Sequence, residues 1–151
     1  MTFKFSTGLV NYLAATGSLK GAVEGSTGFW LDIYTGSRPD SPDIAKTGTK
    51  LLTISLSGGV NGMHLASTAT AGVILKASAE TWSGTILATG TAGYCRLRTG
   101  VDDGTATSTS AIRIDATIAT SGADINFPAG TTLTAGAPFI ATAASFTLPA
   151  A

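Results

Sequence analysis

The chain predicts an all-β fold, a β-sandwich of jelly-roll or immunoglobulin-like kind, preceded by a short N-terminal helix or arm. Three observations carry that expectation. From Gly28 onward apolar residues recur with a period of two, as half-buried strands require. Clusters of Gly, Pro, Asn, Asp and Ser separate these runs at spacings of about 8–12 residues, the rhythm of sandwiches and barrels. The 151 residues are enough for one domain that buries roughly 68–70 % of its unfolded surface without a metal or disulfide.

The first 27 residues follow a different period and are expected to form the arm, with residues 28–151 forming the sandwich. Ser6 is placed to cap a helix near residues 7–14, Phe5 and Val10 have the spacing of a hydrophobic staple, and Leu9, Val10 and Leu13 share a helical face. Gly8 weakens such a helix by about 1 kcal/mol relative to Ala, and Gly17 ends it. A helix this short needs to dock its apolar stripe, either on its own sandwich or on a neighbouring subunit. Leu19 and Val23 extend the pattern beyond the break.

In the sandwich, Phe29, Leu31 and Ile33 alternate with Trp30, Asp32 and Tyr34, and Leu52, Ile54 and Leu56 alternate with Thr53, Ser55 and Ser57. Each reads as a strand with one face in the core and one that is wet or makes contacts. Further strands are expected at residues 72–76, at 80–88 around Trp82 and Ile86, at 93–98 with Cys95 and Leu97 inward, and at 111–119 with Ile112, Ile114 and Ile118 inward. Residues 131–134, 138–142 and 145–148 complete the set. Turns fall at Gly36–Pro42, Gly58-Gly59, Asn61-Gly62, Asp102-Asp103-Gly104, Ser121-Gly122 and Pro128-Ala129-Gly130. The recurrent Thr-Gly pairs are irregularly spaced and mark turns, with no solenoid repeat.

Composition argues against catalysis. Charged residues make up 12 % of the chain, and one His and one Cys accompany them, so the converging titratable groups of an active site are scarce. Nine basic and nine acidic residues cancel without forming a run, which removes the electrostatic footprint of a nucleic-acid binder. Mean hydropathy is +0.32, yet no stretch approaches the ~20 apolar residues of a membrane helix. A near-neutral surface with an apolar surplus suits a subunit interface, and the chain is expected to self-associate as a dimer or trimer. The N-terminus lacks the pattern of an export signal, the sequence has no Asn-x-Ser/Thr acceptor, and Cys95 has no intramolecular partner, all consistent with synthesis in a cytoplasm.

The individual candidates for chemistry have simpler structural readings. His64 lacks a second imidazole or a thiol with which to share a metal. Cys95 sits between Tyr94 and Arg96, and strand geometry turns the arginines at 96 and 98 to the opposite face, so a buried structural thiol is expected. Asp102-Asp103-Gly104, with Asp115 or Asp124, has oxygen ligands for calcium but also the content of a tight turn. Glu80 and Asp32 near Trp30, Tyr34 and Trp82 evoke a sugar-binding or glycosidase site, although aromatic residues more commonly fill cores and interfaces. If strands 93–98 and 111–119 pair, Arg96, Arg98 and Arg113 project from one face with Asp115 as an ionic partner, and that face reads as solvated or interfacial.

The run Ile33-Tyr34-Thr35-Gly36-Ser37-Arg38-Pro39-Asp40-Ser41-Pro42-Asp43, followed by Thr47-Gly48-Thr49-Lys50-Leu51-Leu52, resembles a family of small virion proteins of tailed bacteriophages. The likeness continues in Glu80-Thr81-Trp82-Ser83-Gly84-Thr85, in Gly90-Thr91-Ala92-Gly93-Tyr94 and in Ser121-Gly122-Ala123-Asp124-Ile125. It takes in Phe5-Ser6-Thr7-Gly8-Leu9 near the start and Phe146-Thr147-Leu148-Pro149 near the end, and thus nearly the whole chain. Within Ala66–Ala71 the sequence is small and polar. The resemblance implies a non-enzymatic head-associated subunit, a capsid decoration or cement protein that bridges major capsid subunits on the head surface. A tail or baseplate subunit and a carbohydrate-binding sandwich module are the alternatives, with a glycosidase further behind. The expected partners are the major capsid protein and further copies of the chain, with no nucleic acid, membrane or cofactor. The candidate interface residues are Phe5, Leu9, Leu13, Trp30, Tyr34 and Trp82.

Overall fold

A computed structural model describes residues 3–100 and 102–147. It is an all-β sandwich with two short helices. In chain order the elements are β1 (Lys4–Phe5), α1 (Thr7–Ala15), α2 (Leu19–Glu24), β2 (Phe29–Thr35), β3 (Lys50–Leu56), β4 (Leu65–Thr70) and β5 (Val73–Lys76). They continue with β6 (Trp82–Thr85), β7 (Gly90–Thr99), β8 (Arg113–Ala119), β9 (Ile125–Asn126), β10 (Thr132–Leu133), β11 (Pro138–Ala141) and β12 (Ser145–Thr147). The broad sheet runs β1-β8-β7-β2-β3-β6-β11, with β10 on β7 and β9 on β8, and a smaller sheet runs β12-β5-β4. Pairing is antiparallel throughout except between β8 and β9.

Register places side chains on the two faces of the broad sheet. Leu31 pairs with Ile54 and Leu97, Ile33 with Leu52 and Cys95, and Leu97 and Cys95 with Ile114 and Ala116. These residues and Phe29 form the apolar face, all below a tenth exposed. The small sheet packs over it through Phe146, whose ring meets Phe29 edge-on at 6.4 Å and Phe3 at 6.0 Å. Trp82 closes on Phe29 edge-to-face at 5.3 Å, a favourable arrangement of ring quadrupoles.

The N-terminal segment is part of this body. Ser6 caps α1, accepting from the Leu9 amide at 3.2 Å, while its hydroxyl donates to the Ala111 carbonyl at 2.7 Å and accepts from the Arg113 amide at 3.0 Å. Leu9, Leu19, Ala22 and Val23 enter the same core as the strands. Of the two docking places open to the helices, their own sandwich or a neighbouring subunit, the buried stripe lies on their own sandwich. Val10, the expected partner of Phe5 in a staple, is half exposed.

Three other points differ from the sequence reading. The small, polar stretch Ala66–Ala71, not among the expected strands, supplies most of β4 after the buried Leu65 and turns through Ala71-Gly72 into β5; both turn residues have positive φ, 49° and 77°, as a two-residue hairpin turn matching strand twist demands. The central strands also lack a wet face. Asp32, Tyr34, Arg96, Arg113 and Asp115, on the side away from the apolar core, are as buried as the core itself. The strand expected at 80–88 shortens to Trp82–Thr85, and Leu148, expected in the last strand, lies outside the described residues.

Candidate functional site

The polar face of the broad sheet is built by the same alternation that builds the core. One cross-strand row reads Thr53, Asp32, Arg96, Asp115, and the next brings Trp30, Arg98 and Arg113 side by side. Opposite charges alternate along the first row, the arrangement that antiparallel neighbours favour. Strands β7 and β8 do pair, and the three arginines do share a face, as the spacing suggested. The face is neither solvated nor open, because two segments fold over it: residues 36–49, between β2 and β3, and residues 102–112, between β7 and β8.

The arginines hold both segments down. Arg96 grips Asp115 with two parallel bonds, Nε to Oδ1 at 2.7 Å and Nη2 to Oδ2 at 2.8 Å, and its Nη1 donates to the carbonyls of Ile44 and Gly104. Arg113 repeats the pattern on Asp102, at 2.5 and 2.7 Å, with Nη1 on the carbonyls of Pro42 and Ala106. Each guanidinium thus ties one carbonyl from each segment to the sheet, a use of the planar donor fork that a lysine cannot copy. Arg98 pairs with Asp32 at 2.7 Å, donates to the Asp102 carbonyl and stacks over Trp30 at 5.5 Å. Asp32 also accepts from Thr53 at 2.6 Å and lies 3.7 Å from Lys50.

The segments are tied to each other and to the helix. The Lys46 amide donates to Thr105, the Ser108 amide to the Asp43 carbonyl, and the Ala45 amide to the Thr107 hydroxyl. The Asp43 carboxylate takes the amide and hydroxyl of Thr7 at 2.9 and 2.6 Å. Tyr94 stacks on Tyr34 at 5.1 Å, and its hydroxyl donates to the Thr47 carbonyl and accepts from the Thr47 amide.

The electrostatics follow from burial and pairing. Burial alone would raise the Asp102 pKa, but the hydrogen bonds from Arg113 and the Gly104 amide, with the Arg113 charge, hold it below the ordinary aspartate range. Burial works against the Arg96 cation, yet the Asp115 carboxylate keeps its pKa above the usual value. Tyr34 is pushed upward by burial and then by Asp32. Burial and the Asp115 charge likewise push the Cys95 thiol up, leaving it protonated and inert.

A second polar cluster lies where the two sheets meet. Glu80 accepts from the His64 amide and from Trp82 Nε1 on one oxygen, at 2.8 and 2.9 Å, and faces His64 Nδ1 at 2.7 Å with the other. Lys76 donates to the Glu80 carbonyl and sits over the Trp82 ring at 5.8 Å. Burial would raise the Glu80 pKa, but the hydrogen bonds from His64 and Trp82 lower it. Since β4 follows His64 and Trp82 opens β6, the carboxylate is a clasp between the sheets.

The structure separates the residues that evoked carbohydrate chemistry. Asp32 lies in the arginine layer and Glu80 in the sheet clasp. Tyr34 and Trp82 are fully buried and Leu9 is sealed in the core, so none of the three offers a surface anchor; Phe5, Leu13 and Trp30 remain partly accessible. The acids considered for calcium are engaged separately: Asp102 by Arg113, Asp115 by Arg96, Asp103 by Thr105, and Asp124 by Thr117 and Arg38. Among the described residues no group of three or more His, Cys, Asp or Glu is arranged to hold a metal, and no helix is long and apolar enough to cross a membrane.

A cleft of about 730 Å³ lies between the apolar face and the C-terminal strands, walled by Phe127, Phe139 and Phe146 with Leu75 and Ile140 among its lining residues. Sequence reasoning missed the covering role of residues 36–49 and 102–112. The available signal was the interleaving of three Arg with four Asp within Asp32 and residues 96–115, opposite charges close enough in number to pair with one another. Comparison with protein-family models, curated proteins and solved structures yields no match.

Proposed function

We propose that the protein is a non-enzymatic virion structural subunit of a tailed bacteriophage, a decoration or cement protein that binds the head surface and bridges major capsid subunits. The observation that carries this reading is the fate of the charged groups. Each of the four arginines is in an ion pair with an aspartate of the same chain, and Glu24, Glu80 and Asp43 are held by Lys20, His64 and Thr7. Titratable side chains thus serve the fold, and the exterior is largely Ala, Thr, Ser and Gly. Such a surface loses little hydration when it docks, matching the depletion of charge at interface cores. The sequence resemblance to small virion proteins supports the same reading.

The mechanism is contact area multiplied by valency. A subunit that spans a joint in the shell adds its own contacts to those that internal pressure must break, and a dimer or trimer holds several shell subunits at once. The carbohydrate-module alternative loses support because two of its three stacking rings, Tyr34 and Trp82, are fully buried.

The test is co-sedimentation of the purified protein with heads assembled without it, beside isolated tails. Binding to heads, with a rise in the temperature at which they rupture, is the expected result. Binding to tails alone would move the subunit to the tail or baseplate, and binding to neither would overturn the proposal.

A further inference from the structure

Three crossings of the chain join the small sheet to the broad one, at residues 63–65, 76–82 and 141–145, and hydrogen bonds bring them together at one point. Lys76 donates its amide to the Ala144 carbonyl at 2.9 Å, and Ala77 donates its own to the His64 carbonyl at 3.1 Å. From the second crossing the Glu80 carboxylate grips the first through His64 and the start of β6 through Trp82. Met63, one residue before His64, is fixed to Phe29 of the broad sheet by amide-to-carbonyl bonds of 2.8 and 3.1 Å. Beyond this point the small sheet is lightly held, for among the residues of β4, β5 and β12 Leu65 alone is buried. Elements with so little buried surface open at a lower free energy than the rest of a molecule.

We infer that Glu80 is an acid-released latch, whose protonation lets β4, β5 and β12 part from the broad sheet while that sheet stays folded. Two N–H groups, the His64 amide and Trp82 Nε1, converge on Oε2 at 2.8 and 2.9 Å, and His64 Nδ1 lies 2.7 Å from Oε1. A carboxylate only accepts, whereas a carboxylic acid donates from one oxygen. A proton on Oε2 would face two N–H groups that have no lone pair, and a proton on Oε1 would face an imidazole that in acid carries N–H on both nitrogens. Either way a donor opposes a donor, and the latch loses bonds it cannot replace. The other charged groups at the junction are Lys76 of β5, whose Nζ donates to the Ala77 and Glu80 carbonyls, and Lys20 and Glu24 of α2, which hold the Leu65 carbonyl and amide at 2.9 and 2.6 Å. None of them offers Glu80 an acceptor for its proton. Burial raises the Glu80 pKa, and the bonds from His64 and Trp82 outweigh it. The closure that Glu80 contributes is therefore complete above the ordinary value of 4.5 and is lost as pH falls through the lowered folded value.

The test is amide hydrogen exchange, corrected for intrinsic rates, followed from about pH 7 to about pH 3 in the wild type, Glu80→Gln and Glu24→Gln. In the wild type β4, β5 and β12 are expected to exchange at least about tenfold faster once pH falls below the ordinary carboxylate range, as the unmaking of hydrogen bonds to a charged group implies, while β2, β7 and β8 keep their protection. Glu80→Gln, which cannot take up the proton, is expected to show no such step, and Glu24→Gln to retain it. A wild type without the step, or one in which both sheets lose protection together, would overturn the inference. So would a step that persists in Glu80→Gln or disappears in Glu24→Gln. If Glu80→Gln does not fold, the wild-type and Glu24→Gln profiles still decide the matter.

Discussion

At the scale of single residues, this protein uses ionisable groups as fastenings. Arg113 shows the consequence most directly, because its guanidinium is 1 % exposed and binds Asp102 through two bonds. Replacing it with Met leaves Asp102 uncompensated and is expected to cost about 3–5 kcal/mol, read as a lower midpoint in urea. The pH dependence has a definite sign. With its folded pKa lowered, Asp102 contributes stability that is fully present above the ordinary aspartate value of 3.8 and is lost as pH falls through the lowered folded value. Asp102→Asn is therefore expected to be less stable than wild type at neutral pH and to lose less on acidification, measured by urea midpoints from pH 7 downward. Equal acid slopes in the two proteins would place the acid sensitivity elsewhere.

At the scale of elements, α1 shows how tertiary contact reverses a propensity argument. By intrinsic preference Gly8 weakens its helix by about 1 kcal/mol relative to Ala, and Gly8→Ala would stabilise it. In the folded chain, however, a Cβ at Gly8 would lie 2.3 Å from the Ser110 carbonyl oxygen and 2.6 Å from that of Ala111. Both are backbone atoms of the segment that the arginine layer holds, so they cannot turn aside as a side chain would. Gly8→Ala is expected to lower the thermal midpoint, and an unchanged or raised midpoint would show that residues 110–111 yield. The helix is thus legible in sequence through Ser6 and its Leu stripe, whereas the reason for its glycine lies a hundred residues away.

For the whole molecule, the two faces of the broad sheet have been put to different uses. One meets the small sheet through Phe146 and Trp82, and the other carries ordered loops on a layer of paired charges. Few charges remain to keep copies apart, and Val60, Leu87, Leu75 and Ile140 stand exposed. The purified chain is expected to form a dimer or trimer, measured by light scattering across a concentration series. A monomer at high concentration with no affinity for heads would remove the basis for an assembly role.

Period-two alternation, glycine-rich turns and the Ser6 cap are local signals, and from them the all-β class, the first helix and most strands could be read directly. Even the pairing of Arg96 with Asp115 was accessible, since it follows from the alternation of two neighbouring strands. Tertiary structure alone decided what covers the second face. Alternation assigns a side chain to a side of a sheet but carries no information about what lies beyond it, so Asp32, Arg96 and Arg113 look the same in sequence whether they meet water or the carbonyls of Pro42, Ile44, Gly104 and Ala106. The strand at Leu65–Thr70 was hidden for a related reason: its small residues have weak preferences of their own, and only pairing with β5 across the Ala71-Gly72 turn makes them a strand.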